Sequence, residues 1–221
     1  MRKKVLMVLG VVAVLATVTV GPDLLDLYRL QQYLTSSAHA YEANGGPWPH
    51  VSDACAPCHG VNGNSVHQAY PVLAGQQSVY LTEQLQDFAS GQRVNPIMNA
   101  MARSLKEGEI SSLAEYFSRQ RASANRFFEP DDKLRQKGRQ IVAAGGCAAC
   151  HGEGLMGREQ FPRLAGQGYD YLLKQLDGFA DSTRRDPNNT MNQLASAWSP
   201  DDRQAIATFL ASHPVSEGGK P

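Results

Sequence analysis

Cys55-Ala56-Pro57-Cys58-His59 recurs 92 residues later as Cys147-Ala148-Ala149-Cys150-His151. Cys-x-x-Cys-His is the attachment signature of c-type haem. The two thiols add across the haem vinyl groups, and the adjacent histidine comes to lie under the porphyrin, where its imidazole can bind iron. One tight helical turn provides that spacing. The two motifs use all four cysteines of the chain. A zinc site, a redox dithiol or a disulfide pair would each leave both trailing histidines unexplained. The expected cofactors are therefore two covalent haem c groups, held by Cys55, Cys58, Cys147 and Cys150, with His59 and His151 as iron ligands.

The doubled motif marks an internal repeat. Pro71-Val72-Leu73-Ala74-Gly75-Gln76 returns as Pro162-Arg163-Leu164-Ala165-Gly166-Gln167. Downstream, Tyr80, Leu81, Gln84, Leu85, Phe88 and Ala89 match Tyr171, Leu172, Gln175, Leu176, Phe179 and Ala180. The apolar members fall at helical spacing. Each half closes on another amphipathic segment. In the first, Ile110, Leu113, Ala114 and Phe117 lie at i, i+3, i+4, i+7. In the second, Ser199-Pro200-Asp201-Asp202 supplies an N-cap, a proline at N1 and acids in the first turn. Neither half shows strand-like alternation, so the fold class is all-α with two tandem haem domains.

The far side of each iron needs its own ligand. Methionine or a second histidine gives a six-coordinate electron-transfer haem, whereas an open side allows ligand chemistry. Met98-Asn99 aligns with Met191-Asn192, while Met101 aligns with Leu194. A role shared by both halves selects Met98 and Met191. Met101 reads as a core gap-filler, and Met156, five residues past His151, as packing or surface. His39, His50, His67 and His213 have no repeat partner and read as surface or satisfied residues, His67 being the alternative ligand. Pro71 and Pro162 lie 12 and 11 residues beyond their histidines. Each is either a carbonyl donated to the second ring nitrogen, fixing its orientation, or simply a turn proline. Leu73 and Leu164 are candidates for packing on the haem.

Arg2-Lys3-Lys4 precedes an apolar run of 16 residues, Val5 to Val20, which reads as an export signal. Basic residues only on its N-terminal side place the rest of the chain outside the cytoplasm. The reading favoured here is an uncleaved anchor, with a cleaved leader as the alternative. Leu24, Leu27, Tyr28 and Gln31 continue as a helix, ended by Asn44-Gly45-Gly46-Pro47. The expected plan is a signal-anchor or transmembrane segment (1–22), a helical stalk (23–44), a first haem domain (45–120), a linker (121–130) and a second haem domain (131–221). The 21 basic residues balance 21 acidic ones, so no basic field for nucleic acid exists.

The paired motifs, the Pro-x-Leu-Ala-Gly-Gln segments and the Tyr-Leu-x-x-Gln-Leu-x-x-Phe helices resemble the dihaem cytochrome c4 family over residues 50–212. The resemblance implies two class I cytochrome c domains about a pseudo-twofold axis, with His59 and Met98 on one iron and His151 and Met191 on the other. It also implies that the Pro71 and Pro162 carbonyls orient the histidines, and that the chain carries electrons in the periplasm. One departure stands out. The second half has the family's leading helix, Asp131 to Ala144, whereas Pro47 and Pro49 occupy that place in the first. The expected function is a membrane-tethered shuttle on the periplasmic side, an electron carrier and not an enzyme. It would work between a quinol-oxidising complex or dehydrogenase and a terminal oxidase. The alternatives are the fixed cytochrome subunit of a membrane dehydrogenase complex and, less favoured, a dihaem peroxidase or thiosulfate-oxidising enzyme. The last needs an open, histidine or cysteine sixth position, and no cysteine is spare.

Overall fold

The computed structural model describes residues 2–43 and 50–215. The chain divides into two compact units, Met1–Trp48 and Pro49–Pro221. The described residues of the first form a single helix, α1 (Arg2–Ala43), which runs through Pro22. Gly21-Pro22, where the sequence suggests a change of segment, thus lies inside one helix. Proline suits helical φ and forfeits one backbone bond. Among the described residues no helix is long and apolar enough to cross a membrane. The 16-residue run, at 1.5 Å per residue, spans about 24 Å of a core about 30 Å thick. The expected anchor is therefore not supported by the structure.

The second unit is helical, and its described residues contain only an isolated bridge, Arg158 to Phe161. In its first half α2 (Ala56–His59) carries the motif. It is followed by α3 (Ser78–Ser90), α4 (Pro96–Ser104) and α5 (Glu107–Arg119). In the second half α6 (Asp132–Ala144) precedes the motif helix α7 (Ala148–His151). Then come α8 (Tyr169–Ala180), α9 (Thr190–Ala197) and α10 (Pro200–Ser212). Leu81 and Phe88 on α3 and Leu172, Leu176 and Phe179 on α8 are the buried faces that the spacing predicts. The closing helix α10 packs on α6 and α8, while α5 packs on α3 and on a 3-10 turn, Val51–Cys55. That turn stands where the second half has α6, and among the described residues of this unit no longer helix precedes the first motif. The consequence is a smaller core. Leu81, Leu113, Ala114 and Phe117 form the first cluster, against ten buried residues in the second.

The connector between the halves is stitched down. Ser123 N–H donates to Asn64 Oδ1 (2.8 Å), and the Asn125 and Gln68 side-chain amides bond reciprocally at 2.9 and 3.0 Å. Phe128 stacks on Tyr169 with centroids 4.9 Å apart.

Candidate haem-binding sites

Each motif forms one helical turn closed by glycine. Gly60 and Gly152 both take φ of +77°, and a Cβ at Gly60 would fall on the Asn64 carbonyl. Only glycine reverses the chain there without strain. The four cysteines are unpaired, Cys55, Cys58 and Cys147 half-buried and Cys150 exposed. Burial raises the Cys55 and Cys147 thiols above their ordinary value, aided at Cys55 by Asp53. The histidine closing each turn is buried. His59 Nδ1 lies 2.9 Å from the Pro71 carbonyl oxygen, and His151 Nδ1 lies 2.8 Å from that of Pro162. A ring that donates through Nδ1 presents a lone pair at Nε2, the form a metal binds. Burial lowers both imidazoles below their usual value, against the opposing effect of those hydrogen bonds, so the neutral form is favoured. Both proline carbonyls act as acceptors for a motif histidine.

Met98 and Met191 sit in the first turns of α4 and α9, and both are half-buried. Asn95 caps α4, its side chain accepting from the Ile97 and Met98 N–H groups. Asp186 holds Thr190 and Met191 in the same way. Asn99 and Asn192 complete the match. Each donates to two carbonyls, Phe88 and Arg93 in one half, Phe179 and Arg184 in the other. Met101 is not the core residue expected. It is 37% exposed, and its counterpart Leu194 is 39% exposed. Met156 packs against the second core, and Leu73 and Leu164 lie half-buried beside the first and second cores. His67 is exposed with its ring against Tyr70. Among the described residues no three His, Cys, Asp or Glu side chains gather as a metal-holding group.

A cytochrome c family model matches residues 50–120 and again 135–214. The chain belongs to the cytochrome c family. Cytochrome c4 of Thiocapsa roseopersicina is 34% identical over 171 residues, 72% of this chain and 87% of that protein. The thiosulfate dehydrogenase electron acceptor of Stutzerimonas stutzeri is 36% identical over 186 residues, 80% of this chain and 86% of the relative. The crystal structure of reduced cytochrome c4 from Pseudomonas stutzeri superposes with a TM-score of 0.68 at 29% identity, covering 80% of this chain and 98% of that one. This is a dihaem electron-transfer protein of the cytochrome c4 kind, with two covalent haem c groups. The residues fit that cofactor: each unpaired cysteine couple shares a helical turn with a buried, neutral, oriented imidazole.

The cytochrome has a second layer of site residues that sequence reasoning missed. Gln76 and Gln167, the last residues of the repeated segments, clamp each other's half. Gln167 Oε1 accepts from Val72 N–H (2.6 Å) and Gln167 Nε2 donates to Val72 C=O (3.0 Å). Gln76 does the same to Arg163, at 2.7 and 3.2 Å. Beside this clamp the repeated tyrosines and glutamines meet Arg93 and Arg184. Arg93 donates to Gln84, Gln175 and Tyr171 (2.6, 2.8 and 3.1 Å), and Arg184 donates to Gln175, Gln84 and Tyr80 (2.7, 3.0 and 3.0 Å). Burial pushes both phenols up. At Tyr171 the two guanidinium charges outweigh it and bring the phenol down to about 8, while Tyr80 is raised by burial and by Tyr171. The available signal was the repetition of Tyr, Gln and Arg at one offset.

Proposed function

We propose that this cytochrome carries single electrons on the periplasmic side of the membrane, with His59 and Met98 as axial ligands of one haem and His151 and Met191 of the other. When bound, haem supplies the ferric–ferrous couple. The chain's own part is to set and protect it. Pro71 and Pro162 hold the imidazoles, Leu73 and Leu164 exclude water, and methionine sulfur favours reduced iron. Cys55, Cys58, Cys147 and Cys150 fix each ring to its helical turn. Arg93 and Arg184, whose hydrogen bonds go to neutral acceptors, are suited to receive haem propionates. The carrying observation is the matched pair of His–Pro hydrogen bonds in two halves joined by a reciprocal clamp. Such a body admits an electron through one half and releases it through the other. The basic N-terminus and apolar run support export, and N-terminal sequencing with membrane fractionation decides whether that segment is kept.

The relative's name favours one donor. A thiosulfate dehydrogenase is proposed to reduce this cytochrome, which then passes electrons towards a terminal oxidase. Stopped-flow mixing of the oxidised protein with such a dehydrogenase and thiosulfate should reduce both haems at a rate that rises with dehydrogenase concentration. No reduction in that mixture, with reduction by a quinol-oxidising complex instead, reassigns the donor. Thiosulfate oxidation by the cytochrome alone would return the enzyme reading.

A further inference from the structure

The two Pro-x-Leu-Ala-Gly-Gln segments differ at one position, Val72 in the first and Arg163 in the second. Both residues are buried, Arg163 to 1% exposure. The Arg163 Nη1 group donates to the Ala165 carbonyl of its own half, and Nη2 donates to the Ala74 carbonyl of the other at 2.9 Å. Ala74 and Ala165 occupy the same place in the repeat. One cation therefore lies between the halves, bonded to equivalent atoms of both. Its two acceptors are neutral, and its Nε has no partner among the described residues. Burial pushes the guanidinium down to about 10, which leaves it charged at neutral pH.

A buried charge without an ion partner is costly, and an apolar side chain often serves stability as well or better. Val72 shows that the segment accepts such a residue at this position. The arginine calls for a role in which its charge matters. Each bonded carbonyl lies three residues past a proline that orients a haem histidine. Ferric haem carries one more positive charge than ferrous haem, so a nearby fixed cation disfavours oxidation. Inside the protein that effect is weakly screened by water and salt.

We propose that Arg163 is a positioning residue for the electron-transfer reaction whose buried charge raises the reduction potentials of both haems together. Because it bonds equivalent carbonyls, it moves the pair and does not split them. The inference rests on two bound haems and is independent of the donor and acceptor.

The test is spectroelectrochemical titration of the purified holoprotein at pH 6, comparing Arg163→Gln with Arg163→Lys. Glutamine keeps donor hydrogens and loses the charge. Lysine keeps the charge and loses the fork. A pyridine haemochrome count confirms two haems in each variant. The expected result is a fall of both potentials in Arg163→Gln, little change in Arg163→Lys, and a difference that persists near 1 M salt, where the Debye length is about 3 Å. Unchanged potentials in Arg163→Gln overturn the proposal. A fall in only one potential overturns the shared effect, and equal falls in both variants assign the arginine to packing. Arg163→Met, neutral and of similar length, replaces Arg163→Gln if that variant does not mature, with the same expected result.

Discussion

An imidazole that is to bind iron must be neutral and must be kept from swinging. Burial keeps His59 and His151 neutral, and one contact each holds the ring in place, a hydrogen bond from Nδ1 to a proline carbonyl eleven or twelve residues on. The far side of each ring tests the repeat. Met98 is half-buried and capped by Asn95, whereas Met101, one turn on, is exposed. Met98→Ala should remove one sulfur-to-iron charge-transfer band and lower one haem potential, leaving the other nearly intact. Met101→Ala should leave both bands in place and shift stability by no more than about 0.5 kcal/mol, as for other exposed sites. Near-infrared spectra and denaturant titrations of the two variants read this directly. The reverse pattern would mean that the alignment of the halves chose the wrong methionine.

The crossing of α6 and α10 has no counterpart among the described residues of the first half. Gly138 lets the helices touch, since a Cβ there would fall on the Ala205 carbonyl. Gly108 on α5 faces open space. Gly138→Ala should therefore destabilise by about 1–3 kcal/mol through overpacking, while Gly108→Ala should stabilise by roughly 0.5–1 kcal/mol through helix propensity. Opposite shifts in the urea midpoint are the signature. Asp202 ties the same crossing to Lys137 (2.8 Å) and caps α10 with Ser199. Hydrogen bonds from Lys137 and Ser199 hold its carboxyl down to about 2, below the ordinary 3.8. The unfolded chain thus binds this proton first, so the contribution is whole above 3.8 and lost as pH falls through about 2. Asp202→Asn should flatten the fall of Tm with acid in that window and change its slope little at neutral pH. These helices were legible in the sequence: the apolar spacing of α3, α5 and α8 and the Ser199-Pro200 cap all point to their ends and faces. The continuity of α1 through Pro22 was not, because a proline reads as a break whether or not the helix tolerates it. Nor was the inter-half clamp. Periodicity shows which face is apolar, but it does not say which polar residues, Gln76, Gln167 and Arg163 among them, are docked against another half.

Two halves of unequal core share one interface. Among the described residues the first half has no helix like α6 and has the smaller buried cluster, so by itself it buries less apolar surface and is the weaker partner. The clamp makes its stability depend on the second half. Gln167 is the centre of this dependence, since it satisfies both backbone groups of buried Val72 and accepts from its own Gly168 N–H at 3.0 Å. Gln167→Ala would strand the Val72 N–H, at a cost of about 1–3 kcal/mol for a buried donor left unmade. That cost falls on the interface and not on either core. The expected outcome in calorimetry of the holoprotein is a single transition that broadens or splits, with the lower-temperature part belonging to the first half. Following the methionine band of each haem through the melt assigns the parts, and Met98→Ala marks which band is which. A single sharp transition at the wild-type temperature would show that the halves are coupled through the Tyr80–Arg184 and Tyr171–Arg93 cluster alone, and the glutamines would then be bystanders.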